Sequence, residues 1–168
     1  VSNYIRASTG NDTVIAHGAH NEIDGGTGYD TIKAYGGYNE IRSDHDSLAD
    51  YIEAKGGKNK IYAGDGNDTI KAYGGHNKIY ARKGSDTIKA YGGYNYIDSG
   101  NGYVTDKIEG TCVYNEIYAG NGSDNIKADG GYNKIYARNG NDTIEADGGY
   151  NKIYAGNGSD TIKAFGGY

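Results

Sequence analysis

One rule recurs along this chain and leaves little freedom to the fold: an Asp or Asn is followed two residues later by a branched aliphatic. The Asp positions are Asp12, Asp30, Asp50, Asp68, Asp86, Asp106, Asp124, Asp142 and Asp160, followed by Val14, Ile32, Ile52, Ile70, Ile88, Ile108, Ile126, Ile144 and Ile162. Asn3, Asn21, Asn39, Asn59, Asn77, Asn95, Asn115, Asn133 and Asn151 fall in the opposite half of each period, and Ile follows each of them in the same way. The period is 18 residues, with two steps of 20. Self-similarity at a fixed period of about this length is the mark of a solenoid, in which one supersecondary unit stacks on the next.

Each half-period reads as a short strand and a Gly-rich turn. In Asp68-Thr69-Ile70-Lys71-Ala72-Tyr73 polarity alternates, which puts Ile70 and Ala72 inward and Thr69, Lys71 and Tyr73 outward. Asn77-Lys78-Ile79-Tyr80-Ala81 follows the same alternation. Turns such as Ala63-Gly64-Asp65-Gly66-Asn67 and Tyr73-Gly74-Gly75-His76 carry the residue that tolerates positive φ. A two-strand coil cannot bury its Ile face alone. Stacking at about 4.8 Å completes the backbone ladders and sets each Ile over its equivalent. The expected fold is therefore all-β: a right-handed parallel β-solenoid (β-roll) of nine two-strand coils of about 18 residues. It is one domain over residues 1–168, with longer turns at 42–50 and 98–106.

Composition agrees with a thin, regular core. There are 30 Gly and 19 Tyr but one Phe, one Cys and no Pro, Met or Trp. The formal net charge is −5 and the basic residues are scattered, which argues against a nucleic-acid partner. No segment is apolar enough for a membrane span. The chain opens at Val1 with no signal-peptide pattern, so it reads as a processed product or a fragment. Cys112, in the irregular turn Gly110-Thr111-Cys112-Val113-Tyr114, has no second cysteine to pair with and reads as a tolerated substitution.

The Asp row poses a charge problem. Carboxylates stacked at the strand spacing repel by roughly 0.9 kcal/mol per neighbour in water, and by about 3.5 kcal/mol at an effective dielectric of 20. Such a row must be neutralised, protonated or splayed; the plain alternative is that each Asp caps its own turn without metal. The turn residues carry a family resemblance. Gly25-Gly26-Thr27-Gly28-Tyr29-Asp30-Thr31-Ile32-Lys33 fits G-G-x-G-x-D-x-U-x, and Ala63 to Lys71, Ala119 to Lys127 and Ala155 to Lys163 fit with Ala first. Ala81 to Lys89 and Ala137 to Glu145 also replace the second Gly, with Arg82 and Arg138. The whole chain thus resembles the RTX (repeats-in-toxin) calcium-binding nonapeptide β-roll. The resemblance implies several Ca²⁺ ions along one edge, held between successive coils by Asp12, Asp30, Asp50, Asp68, Asp86, Asp106, Asp124, Asp142 and Asp160 with carbonyls of their turns. A standard RTX roll has Asp in both halves. Here the second half has Asn, which can stack as an amide ladder without an ion. One calcium edge and one metal-free edge are expected, an arrangement that also resembles an RTX-like bacterial ice-binding adhesin domain. The two long turns should bulge out and disturb the local ion site; Asp44 and Asp46, in the first, read as solvated loop carboxylates, with an extra ion site as the alternative.

Two aromatic rows mark the surface. Tyr38, Tyr94, Tyr114, Tyr132, Tyr150 and Tyr168 lie in the metal-free turns, interrupted by His20, Lys58 and His76; Tyr62, Tyr80, Tyr118, Tyr136 and Tyr154 follow the Ile strand. They read first as stacking ladders, and second as a binding face for a glycan or a solid surface. Thr13, Thr31, Thr69, Thr87, Thr143 and Thr161 form a broken row suited to ice, beside a charged row that is not. No catalytic motif is present, so an enzyme is not expected. The expected role is an extracellular or cell-surface structural module, rigidified by Ca²⁺ and self-associating head to tail or extending into a fibre. The alternatives are a calcium-folded secretion tail of a larger exported enzyme or toxin, and an ice- or glycan-binding adhesion module.

Overall fold

A computed structural model describes residues 1–43 and 45–166; Asp44 and Tyr168 of the sequence reading lie outside the described residues. The chain runs through β1 (Ser2–Arg6), β2 (Thr13–His17), β3 (His20–Asp24), β4 (Thr31–Tyr35) and β5 (Tyr38–Arg42). Five 12-residue strands follow: β6 (Tyr51–Tyr62), β7 (Thr69–Tyr80), β8 (Thr87–Asp98), β9 (Lys107–Tyr118) and β10 (Asn125–Tyr136). Then come β11 (Thr143–Asp147), β12 (Tyr150–Tyr154) and β13 (Thr161–Phe165). Every pairing is parallel, and each residue faces its equivalent one period later: Ile70 faces Ile88, Ala72 faces Ala90, Asn77 faces Asn95 and Ile79 faces Ile97. The result is a parallel β-solenoid of about nine turns. Coils are numbered 1 to 9 from Asn3, each beginning at its inward Asn. Among the described residues no helix is long and apolar enough to cross a membrane.

Period-two alternation decides the core. Ile32, Ile52, Ile70, Ile88 and Ile126 on one side, and Ile41, Ile61, Ile79, Ile97 and Ile135 on the other, are fully buried, with Ala34, Ala54, Ala72 and Ala90 beside them. β-Branched side chains fill a pleated surface well. The buried set adds an inward Asn column and an inward Asp column at the two corners.

The corners differ more than sequence implied. In β6 to β10 the Gly-Gly corner is a bend inside a continuous strand, because pairing runs through it: Tyr73 with Tyr91, Gly74 with Gly92 and His76 with Tyr94. Its inward Asn closes it. Asn77 Nδ2 donates to Tyr91 O at 3.0 Å across the corner and to Asn95 Oδ1 at 2.8 Å in the next coil. Such amide-to-amide bonds run unbroken from Asn3 to Asn151 at 2.7–3.1 Å. Cys112 takes the place of a corner glycine, facing Gly92 and Gly130. Gly110 compensates in the position of Ala90, where a Cβ would lie 2.5 Å from Asn115 Oδ1. The Asp corner, by contrast, interrupts the strands in every coil.

Candidate metal edge

At the Asp corner each regular turn has six residues, for example Ala63-Gly64-Asp65-Gly66-Asn67-Asp68. Its second and fourth residues take positive φ: Gly64 at 107° and Gly66 at 145°, Arg82 at 76° and Gly84 at 141°, Arg138 at 78° and Gly140 at 141°. The fourth position demands glycine twice over. A Cβ on Gly84 would lie 1.5 Å from Gly66 O of the coil beneath, and its φ disfavours any side chain. Arg82, Arg138 and Ser8 show that the second position carries non-glycine residues in the same conformation.

The Asp that ends the turn points inward, and Asp30, Asp50, Asp68, Asp86, Asp106, Asp124 and Asp142 are all 4% exposed or less. One carboxylate oxygen is engaged in a way the sequence did not reveal. It caps the coil before its own: the Asp68 N–H donates to Asp86 Oδ1 at 2.9 Å, and the Asp86 N–H to Asp106 Oδ1 at 2.8 Å. The same bond joins every neighbouring pair from Asp12 to Asp160, at 2.7–2.9 Å.

The second oxygen is where the row is incomplete. Oδ2 of Asp12, Asp30, Asp68, Asp86, Asp124 and Asp142 is buried without a hydrogen-bond partner. Buried carboxylate oxygens without a donor or counter-charge are strongly unfavourable. The acidities follow. Burial, above all, pushes Asp86 up to about 8, with the Asp106 and Asp68 charges adding and the Asp68 N–H opposing. Asp68 and Asp124 are pushed up to about 7 for the same reasons. Asp50 and Asp106 reach only about 6: burial again dominates, and the Asp30 and Asp86 N–H groups oppose it.

These donors suit a hard cation such as Ca²⁺, which takes six to eight oxygens from carboxylates and carbonyls in flexible geometry. Among the described residues no three His, Cys, Asp or Glu side chains cluster as a metal site. A bound ion would therefore draw at most two carboxylates from the row and would complete its shell from turn backbone. The Asn column at the opposite corner needs no ion, since its amides satisfy one another.

The tyrosine rows stack. Tyr94, Tyr114, Tyr132 and Tyr150 follow one another at ring separations of 5.2, 4.7 and 4.8 Å, and Tyr118, Tyr136 and Tyr154 at 4.8 Å with planes within 6°. Tyr62 and Tyr80 stack at 5.1 Å. In the first row Tyr38 stacks on His20 at 4.7 Å. Where Asp98 interrupts the second row, Tyr96 leans between Tyr80 and Tyr118. Ring faces are thus covered by neighbouring rings. A third column escaped the sequence reading: His17 with Tyr35 and Tyr73 with Tyr91, with Lys55 Nζ 5.5 and 5.4 Å from Tyr35 and Tyr73. Its signal was the outward residue just before each Gly-Gly corner.

The family model of the RTX calcium-binding nonapeptide repeat (4 copies) matches residues 2–32, 46–79, 72–105, 118–153 and 151–167. The chain belongs to that calcium-binding repeat family. No individual curated protein and no solved structure is significantly similar to it.

Proposed function

We propose that this chain is a non-enzymatic structural module that works outside the cell, folded and stiffened by calcium bound along its Asp edge. One observation carries the reading: an inward row of carboxylates gives one oxygen each to the neighbouring coil and leaves the other buried without a partner. Bound calcium supplies the positive charge that neutralises such a row, and a bridge between carboxylate and turn backbone. The chain's own residues do the rest. The positive-φ pairs at the second and fourth turn positions shape the corner, and the cross-coil N–H bonds fix each carboxylate in depth and register. The carboxylates lie behind the turn backbone, out of reach of a substrate, which favours a structural role over catalysis. Extracellular calcium levels suit modules with weak, flexible sites.

Head-to-tail self-association is part of the same proposal: one parallel register repeats from coil to coil, and such a ladder accepts a further coil of the same kind. Circular dichroism during a calcium titration from chelator, with size-exclusion chromatography at both ends, tests the reading. A gain of β-signal with compaction is expected, and a rise in mass with stacking. An identical folded spectrum in chelator and in calcium would falsify the calcium-coupled role.

A further inference from the structure

The two long turns differ from the other seven in conformation as well as length. In coils 1, 2, 4, 5, 7, 8 and 9 the second and fourth turn positions both have positive φ: Ser8 and Gly10, Gly26 and Gly28, Gly64 and Gly66, Arg82 and Gly84, Gly120 and Gly122, Arg138 and Gly140, Gly156 and Gly158. In coils 3 and 6 the fourth position is Leu48 and Val104. Their carbonyl oxygens stand beneath Gly66 and Gly122, 2.2 and 2.0 Å from where a Cβ would be, as the Gly66 oxygen stands beneath Gly84. Neither residue has positive φ. A β-branched or bulky side chain strongly disfavours that region, so these turns lack the positive φ of the fourth position, although Gly100 keeps it at the second position of coil 6, at 102°.

Other contacts agree. The first turn position is Ser43 or Ser99, where the other seven turns carry Ala or Gly. In coil 2 the Gly28 N–H leaves the carbonyl ladder, which elsewhere runs as Gly66 N to Lys83 O, and donates instead to Asp46 Oδ2 of the inserted loop at 2.6 Å. Asp46 Oδ1 then accepts from the Leu48 N–H at 2.8 Å. In coil 6 the Thr105 carbonyl accepts from the Ser85 hydroxyl, so a backbone oxygen that could face an ion is already engaged. The buried, partnerless Oδ2 atoms belong to Asp residues of regular turns.

We infer that Asp50 and Asp106 are not calcium ligands, and that the calcium edge is three separate segments, coils 1–2, 4–5 and 7–9, divided by the turns of Leu48 and Val104. This rests on the calcium reading above and specifies it. The full chain then takes up no more than one ion per regular turn, seven in all, and Asp50 and Asp106 serve only as acceptors for the Asp30 and Asp86 N–H groups.

The test is calcium stoichiometry on the full chain, by isothermal titration and by equilibrium dialysis with metal analysis. Asp50→Asn and Asp106→Asn keep the acceptor oxygen and are expected to leave the ion count unchanged. Asp30→Asn, Asp68→Asn and Asp124→Asn should each lower it. A gain-of-function variant is independent of any loss of folding: Ser99→Ala and Val104→Gly with deletion of Asn101 and Gly102 write a regular turn and should add calcium uptake. An equal loss in all five Asn variants, an ion count above seven, or no gain in the rewritten turn overturns the segmentation while the calcium reading stands. No uptake by the unaltered chain overturns the calcium reading itself, and this inference with it.

Discussion

Replacing Asp86 by Asn should stabilise the fold without metal and destabilise it with metal, and this change of sign is the sharpest consequence of the buried row. Asp86 lies mid-solenoid, 1% exposed, with Asp68 and Asp106 on either side. Its folded acidity is pushed up to about 8 from an ordinary 3.8. A raised folded value favours the fold while the proton is kept; that contribution is complete below about pH 4 and lost as pH rises through about 8. Above that pH, ionising the metal-free fold costs about 6 kcal/mol. Asn removes that cost and keeps an Oδ1 acceptor for the Asp68 N–H. It also buries an amide donor lacking a partner, which costs about 1–3 kcal/mol. The net expectation at pH 9 in chelator is a gain of about 3–5 kcal/mol, or roughly 6–20 °C at about 2–4 °C per kcal/mol for a chain of this size. In saturating calcium the variant has lost a ligand, and its midpoint should fall. Thermal and urea unfolding by circular dichroism, with and without chelator, read both signs; if the metal-free chain is unfolded at pH 9, the gain appears as recovered β-signal. Destabilisation in both conditions would show that the carboxylate is only a turn cap and that its charge is no liability.

Acidification in chelator should raise stability. Asp68, Asp86 and Asp124 hold protons in the fold at pH values where the unfolded chain has released them, so urea midpoints should climb from pH 8 to pH 5. The slope is about 1.4 kcal/mol per pH unit for each such proton, and it should reverse in saturating calcium, where protons compete with the ion. Gly84→Ala should cost about 3 kcal/mol or more in urea unfolding, since its Cβ would lie 1.5 Å from Gly66 O; Gly93→Ala, with 2.9 Å to Gly75 O, should cost clearly less. Asn77→Asp should be more damaging than Asn77→Ala, because an anion would face Tyr91 O and Asn95 Oδ1, which now accept from the amide; comparative unfolding in calcium decides it. Ile88→Ala should cost about 2–5 kcal/mol and Ile162→Ala under about 1 kcal/mol, the first being fully buried and the second half-exposed.

The sequence by itself determined the coil, its period and its register. A repeat of Asp-x-Ile (Val14 once) and Asn-x-Ile at 18 residues, with two steps of 20, admits one stacking in which these branched side chains lie over one another, and alternation assigns Thr69, Lys71 and Tyr73 to the outside. It also marked the two corners as chemically unlike, because an amide donates as well as accepts and a carboxylate only accepts. Other features were decided only in three dimensions. The carboxylate of Asp86 caps the coil of Asp68 and leaves its own second oxygen bare, a matter of how far a short side chain reaches across a 4.8 Å seam. In the five long strands the Gly-Gly corner stays within the ladder and the Asp corner does not, because only the latter alternates positive φ at two positions. The twist that makes a regular turn is absent where Leu48 and Val104 stand. Sequence showed those turns as two residues longer; their backbone shows that they are of a different kind, since a side chain that cannot adopt left-handed φ reshapes the turn rather than merely lengthening it.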